Sequence, residues 1–194
     1  MKGTIIFISL AMISLIAASQ NQNVVFNTEL GKIVAELYPD KAPATCDNFV
    51  KYIKNGKFEG AHFYRVVRLN NQSSSKVKIE VIQGGLGFDV EESPYPCIRH
   101  ETTEETGLLH ENGTLSMARA EPGTASSEFF ICIGDQPELD FGGKRNTDGQ
   151  GFAAFGKVVL GMDIVKQILN MPDNAQMLIS PVSILSVEIK EKEQ

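Results

Sequence analysis

The side chains able to do chemistry in this 194-residue chain are few, and their spacing rules out more than it offers. The three histidines, His62, His100 and His110, fall on a strand start and on loops without ligand spacing, so no metal site is predicted. Asp135, Asp140 and Asp148 sit on glycine-rich stretches and read as turn residues rather than as a calcium cage. Gly84-Gly85-Leu86-Gly87 is not followed by a helical pattern, which removes a phosphate loop. Cys46, Cys97 and Cys132 form neither a metal pair nor a disulfide framework, and their odd number leaves at least one free thiol; Cys132 is expected to be buried in its strand. What remains is an amide. Val77, Ile79, Val81 and Gln83 alternate against Lys76, Lys78, Glu80 and Ile82, so Gln83 projects with the apolar set, where a polar group needs a partner or a ligand.

Two apolar runs supply the surface such a group would work on. Thr114-Leu115-Ser116-Met117-Ala118-Arg119-Ala120 and Ser127-Glu128-Phe129-Phe130-Ile131-Cys132-Ile133 read as neighbouring strands, broken apart by the turn chemistry of Glu121-Pro122-Gly123-Thr124. Ser116, Ala118 and Ala120 leave space above one strand, while Phe129 and Phe130 fill both faces of the other. Together they describe a shallow apolar groove, although each Phe taken alone reads as an ordinary core aromatic.

The rest of the chain must hold that groove. Asn23 to Phe26 and Lys32 to Leu37 form an opening hairpin around Asn27 to Gly31. Pro39 to Pro43 breaks the sheet, and Pro43 begins a helix with Cys46, Phe49, Val50 and Ile53 inward, ended by Asn55-Gly56. Phe58 to Val67 is a strand and Arg68 to Ser75 a solvated loop. Gly84 to Asn112 has no clear period and is expected to wrap the surface as irregular structure, with Pro137 to Gly151 another loop. Phe152 to Val159 is a strand, Gly161 to Asn170 a helix with Met162, Val165, Ile168 and Leu169 inward, and Leu185, Val187 and Ile189 alternate along a final strand. About eight strands and two helices without a βαβ rhythm predict a mainly β fold, an antiparallel sheet closed on itself with helices at its ends.

With 22% charged and 42% hydrophobic residues the composition is that of one globular domain. A net charge of -6 without a basic cluster repels phosphate backbones, so nucleic acid is not an expected partner. Residues 1–19 differ from the rest: Lys2 is their only charge, Ile5 to Ile16 is almost unbroken apolar, and Ala17-Ala18-Ser19 suits a signal peptidase. They read as a secretory signal, leaving residues 20–194 as the domain; an uncleaved membrane anchor is the alternative, although the run is short for a span. Export to a periplasm is the first expectation, a eukaryotic secretory pathway the second. Asn71-Gln72-Ser73 and Asn112-Gly113-Thr114 match the glycosylation acceptor pattern, which matters only on that second route.

Five motifs now stand in order. Phe63-Tyr64-Arg65-Val66-Val67, Val81-Ile82-Gln83-Gly84-Gly85, Leu115-Ser116-Met117-Ala118, Ser127-Glu128-Phe129-Phe130-Ile131-Cys132 and Phe155-Gly156-Lys157-Val158 span nearly all of the chain after residue 20. In this the sequence resembles the cyclophilins, the cyclosporin-binding peptidyl-prolyl isomerases. The resemblance implies a closed eight-stranded antiparallel barrel capped by two helices, acting on X-Pro bonds of polypeptides without a cofactor. By the same likeness Arg65 matches the catalytic arginine, Gln83 the glutamine beside it, Phe130 and Leu139 walls of the proline pocket, and Ala118 and Arg119 the pair along the peptide backbone. Val81 stands where methionine is usual and Arg119 where asparagine is. Glu80 replaces a pocket phenylalanine, Glu128 a glutamine, Glu138 a tryptophan associated with cyclosporin contact, and Phe152 a histidine. Weak cyclosporin binding and a monomeric state are expected.

Isomerisation at X-Pro needs no nucleophile, because the barrier of about 18 to 20 kcal/mol is lost amide resonance. In the twisted state the prolyl nitrogen gains a lone pair, so a fixed donor aimed at it favours that state over either planar isomer. A guanidinium suits the task. Arg65 would be that donor, Gln83 would hold it or bind the substrate carbonyl, and Val81, Phe130, Leu139 and Phe152 would grip the ring. The competing expectations are a peptide-binding holdase with little turnover, weakened by Glu80 and Glu138, and a ligand-carrier barrel, which needs an open interior.

Overall fold

The computed structural model describes residues 21–87 and 93–190; the expected signal at residues 1–19 lies outside the described residues. Strands β1 (Gln22–Thr28) and β2 (Gly31–Leu37) make the opening hairpin, with Thr28 opposite Gly31. Its two-residue turn is closed by the Thr28 hydroxyl, which donates to the Gly31 carbonyl at 2.7 Å and accepts from the Leu30 N–H. β3 (His62–Val67), β4 (Val81–Gly85), β5 (Thr114–Met117), β6 (Phe129–Cys132) and β7 (Ala153–Leu160) follow. β9 (Met177–Lys190) is preceded by a two-residue strand, β8 (Asp173–Asn174).

All pairings are antiparallel in the order β1-β2-β7-β5-β6-β4-β3-β9, and β9 pairs with β1 to close the ring. The expected eight-stranded barrel is therefore present, with β8 added outside it as a hairpin on β9. Helix α1 (Pro43–Lys54) lies against β7 and β9, and α3 (Met162–Leu169) against β2, β3 and β4. Between them the stretch expected to be irregular holds a four-residue helix, α2 (Thr103–Thr106). The Thr102 side chain caps it by accepting from the Glu105 N–H, and Gly107 ends the turn at φ +68°.

The barrel interior is filled, which removes the carrier reading. Phe49 of α1 packs its ring 5.5 Å from Phe129, 5.1 Å from Phe155 and 5.0 Å from Phe58, and Phe26 lies 5.4 Å from Phe129. Aromatic pairs at such offset and edge-on angles add to the burial that holds the core. The inward face of α1 is turned from the expected one: Cys46 and Phe49 are buried, but Tyr52 joins them while Val50 and Ile53 are only partly covered. The cause is polar satisfaction. Glu101, fully buried and 56 residues from Thr45, accepts from the Ala44 and Thr45 N–H groups and the Thr45 hydroxyl, capping a helix whose own Ala42 cannot. Asn48 reaches the Ser126 carbonyl and Tyr52 the Ser93 hydroxyl.

Four further expectations are corrected. Leu185 is exposed, because a bulge sets Asn27 opposite Ser186 but Thr28 opposite Ile184, leaving Ile184 to point inward. β3 begins at His62, the residues from Phe58 forming turns. β4 begins at Val81 rather than Val77, since the peptide groups of Ile79 are bound by the Gln72 amide instead of a neighbouring strand. Gln72 is itself 2% exposed, so the stretch Arg68 to Ser75 is anchored rather than solvated. Within it the Asn71 side chain donates to the Val66 carbonyl and Asp173, and accepts from the Arg68 N–H, which engages the amide of the first acceptor motif.

Candidate active site

Residues 129 and 130 send their rings to opposite faces of β6, as successive strand residues must. Phe129 enters the barrel core, and Phe130 packs outside it with Val67, Ile79, Val81, Cys132 and Leu139. Over this second cluster opens a cavity of about 520 Å³, lined by Arg65, Val81, Gln83, Ala118, Arg119, Glu128, Phe130, Leu139 and Phe152 among the residues singled out from the sequence. Phe130 stands between Gln83 of β4 and Ser116 of β5 in the sheet register. Phe152 meets its ring edge-on at 5.3 Å, making an apolar corner with Leu139.

A polar chain runs along the cavity wall. Arg65 Nη1 donates to Gln83 Oε1 at 2.9 Å, Gln83 Nε2 donates to the Tyr64 hydroxyl at 2.8 Å, and that hydroxyl donates to Glu128 at 2.5 Å. Burial, and then the neighbouring Glu128, push the Tyr64 hydroxyl above the usual phenol range, so it stays a donor. Both ends of the Gln83 amide are thereby engaged, and its place is to hold the guanidinium. Glu128 also accepts from the Ser127 hydroxyl and the N–H groups of Leu86 and Gly87. Gly85, at φ +143°, is what allows this, because a Cβ there would fall 2.6 Å from the carboxylate.

The other side of the guanidinium is held by a residue that strand alternation could not reveal. Gln176 Oε1 accepts from Arg65 Nε at 3.1 Å and Nη2 at 2.6 Å, while its Nε2 donates to the Asn71 carbonyl. It sits in the β8–β9 turn, where Ala175 and Gln176 both have positive φ, 49° and 74°. Such a conformation costs non-glycine residues energy and is kept by its surroundings. Here Asp173 accepts the Gln176 N–H and is ion-paired to Arg68, which also donates to the Leu169 and Met171 carbonyls.

Arg119 points back into the protein. Its side chain is 1% exposed, pairs with Asp148 through two bonds, donates to the Gly151 carbonyl and lies over the Phe152 ring at 5.1 Å. Those bonds hold the Asp148 carboxyl below its ordinary range. Gly151, at φ +62°, packs so closely on Leu139 that a Cβ would lie 2.5 Å from its carbonyl oxygen. Behind Phe130, His110 stacks at 5.8 Å and links Ser116 at 2.9 Å to Asp140 at 2.7 Å. A carboxylate only accepts, so Nδ1 carries the proton toward Asp140. Ser116 is fully buried, which bars it from substrate and makes this row a support for Phe130.

Two expected groove residues fall elsewhere. Ile79, not Glu80, lines the cavity, and Glu80 is held by its backbone to Gln136 and Ile133. The Glu138 carboxylate turns back to accept the Lys144 N–H. Arg145, unnoticed in the sequence, does line the cavity. Cys46 and Cys132 are buried and Cys97 is exposed, all three free.

A barrel of this closure with an apolar pocket on its outer wall and a fixed guanidinium beside it has the build of a prolyl-bond isomerase. The family model described as cyclophilin type peptidyl-prolyl cis-trans isomerase/CLD matches residues 23–189. A peptidyl-prolyl cis-trans isomerase of Acinetobacter baylyi is 38% identical over 182 residues, covering 89% of this chain and 88% of its own. Peptidyl-prolyl cis-trans isomerase B of Escherichia coli is 35% identical over 153 residues, covering 75% and 82%. A crystal structure of a Cryptosporidium parvum cyclophilin type isomerase superposes with a TM-score of 0.73 at 24% identity, covering 90% of this chain and 100% of its own. The chain belongs to the cyclophilin type peptidyl-prolyl cis-trans isomerases, and its activity is rotation about X-Pro bonds.

Proposed function

We propose that the outer cavity receives an X-Pro segment with the proline ring against Phe130, Leu139, Val81 and Phe152, and that Arg65 is the catalytic donor. The observation that carries this is the Arg65 guanidinium, gripped between Gln83 and Gln176 at the wall of an otherwise apolar pocket. Three bonds fix its plane before substrate arrives, and a guanidinium has five N–H donors, so hydrogen-bonding capacity is left for a ligand. As the amide twists, its nitrogen becomes pyramidal and basic; a donor already in place stabilises that state without reorganising. Ala118 and Glu128, with Arg119 behind them, frame the segment on the β5–β6 side of the cavity.

A related solved structure of a Cryptosporidium parvum cyclophilin, 25% identical with a TM-score of 0.71, was obtained in the presence of the dipeptide Ala-Pro, which supports a proline-containing ligand here. The holdase reading loses its basis, because Glu80 and Glu138 stand outside the cavity. Residues 1–19 support export, with a periplasm first and the secretory pathway or a membrane anchor as alternatives, and so a role in folding exported proteins. Cyclosporin binding is weak in this reading, with glutamate at position 138, and the protein acts as a monomer. Exchange NMR on capped peptides with different residues before proline tests the activity. Catalytic amounts of protein produce cis–trans exchange cross-peaks; no acceleration for any peptide overturns the assignment.

A further inference from the structure

The charges around the cavity do not balance. The protein as a whole carries -6, yet the charged side chains lining this cavity are Arg65, Arg119, Arg145 and Glu128. Arg119 is neutralised by Asp148 in a two-bond pair. Glu128 is saturated by two hydroxyls and two backbone N–H groups, so its carboxylate is turned into the wall. Among the described residues, the Arg65 side chain bonds only to the neutral amides of Gln83 and Gln176. Arg145 bonds only to neutral oxygens, those of Gln72 at 2.9 Å, the Ser75 hydroxyl at 2.7 Å and the Val77 carbonyl at 2.6 Å, all through Nη1. Among the described residues, neither guanidinium has a carboxylate within ion-pair distance.

Two cations sharing one partly covered cavity repel each other, and burial lowers the affinity of both for their protons. An anion beside them would relieve that repulsion through charge-assisted hydrogen bonds. Arg145 is also well placed for a different task from that of Arg65. Its Nη1 is tied to the β3–β4 connection, in a cavity also lined by Ala118, Ala120 and Ser126, and its Nη2 and Nε remain for a ligand. The tie to three acceptors makes it pre-organised, so little side-chain freedom is lost when an anion binds.

We propose that Arg145 is a specificity residue, forming beside the proline pocket an anionic subsite that selects X-Pro segments carrying a carboxylate next to the proline. This rests on the isomerase reading of the cavity and names its substrate class as acidic proline segments. An acidic protein would otherwise disfavour such clients, and the two arginines reverse that locally.

The test uses the protein with capped peptides in which Glu, Gln or Lys is placed in turn one or two residues before or after proline. Both kcat/KM from exchange NMR and Kd from NMR titration are read. At one position at least, Glu is preferred over Gln by about threefold to tenfold and Lys is the weakest, the range expected of a partly exposed charge-assisted contact. The Glu-to-Gln ratio falls toward one in Arg145→Gln, is largely kept in Arg145→Lys and shrinks as ionic strength rises. Should Arg145→Gln disturb its loop, the Lys variant and the salt dependence of the unaltered protein carry the test. Equal handling of Glu and Gln at every position, with normal turnover of the neutral peptides, overturns the subsite and leaves the isomerase standing. A Glu preference that persists in Arg145→Gln overturns it too. If no peptide is turned over, the isomerase reading fails, and the Kd ratios alone decide the subsite.

Discussion

Phe129 and Phe130 are neighbours in one strand and live in different parts of the molecule. Phe129 is fully buried among Phe26, Phe49 and Phe63 and has no route to solvent. Phe130 is 4% exposed, in a smaller cluster that forms the floor of a cavity. One face of the barrel wall is packed for stability; the other leaves an open cavity, which the proposed reading fills with a proline ring. Polar groups follow the same division. Inside, they are spent on structure, as Glu101 is on α1; outside, Arg65 is fixed by neutral amides that leave its charge unspent.

The division is broken most severely from within. Phe129→Ala is expected to lower the unfolding free energy by about 3 to 5 kcal/mol, the range for a large core aromatic, as read by denaturant unfolding. Phe130→Ala should cost clearly less stability and instead lower kcat/KM by about tenfold or more, because the lost contacts are those made to the ring of the substrate. Comparable stability losses with unchanged kcat/KM in Phe130→Ala would place both rings in one core.

Gln176→Ala is a finer probe. It frees one side of the Arg65 guanidinium while leaving the pocket walls intact, so kcat should fall about threefold to tenfold with KM little changed. Gln176→Glu restores an acceptor and should recover much of that loss. A KM effect of the same size as the kcat effect would mean that the hairpin shapes the pocket rather than aiming the donor.

The smallest effect is the pH response of the buried thiols. Burial pushes the Cys46 thiol up to about 12, whereas the unfolded chain returns it to about 8.5. A raised folded pKa contributes stability that is complete below the unfolded value and is lost as pH rises toward the folded one. Stability should therefore decline between those limits less steeply in Cys46→Ala than in the unaltered protein. Native protein at neutral pH should react with a thiol reagent at Cys97 alone.

Which parts were legible in the sequence follows from the same division. The barrel was, because period-two alternation survives wherever one strand face is buried, and Gln83 stood out only because it broke that alternation. Gln83, Phe129 and Phe130 fell where alternation put them, whereas the bulge at Thr28 turned Leu185 outward and the Gln72 amide kept Ile79 out of the strand. Gln176 and Arg145 could not be found this way, since they sit in a two-residue turn and a loop that align with nothing by period. Glu80 and Glu138 match groove positions by motif alone; the Glu80 backbone is bound to Gln136 and Ile133 and the Glu138 carboxylate turns to the Lys144 N–H, contacts that no motif carries. The Ser116–His110–Asp140 row joins three segments that touch only once the barrel has closed.

In the proposed mechanism Arg65 stabilises the twisted amide rather than merely holding the peptide. The direct measurement is kcat and Kd for one X-Pro peptide with the unaltered protein and with Arg65→Ala. In Arg65→Ala kcat should fall by about tenfold or more while Kd changes by less than about threefold, the signature of an interaction made only in the transition state. A Kd that weakens as much as kcat/KM falls, with kcat preserved, would contradict it and make Arg65 a binding residue.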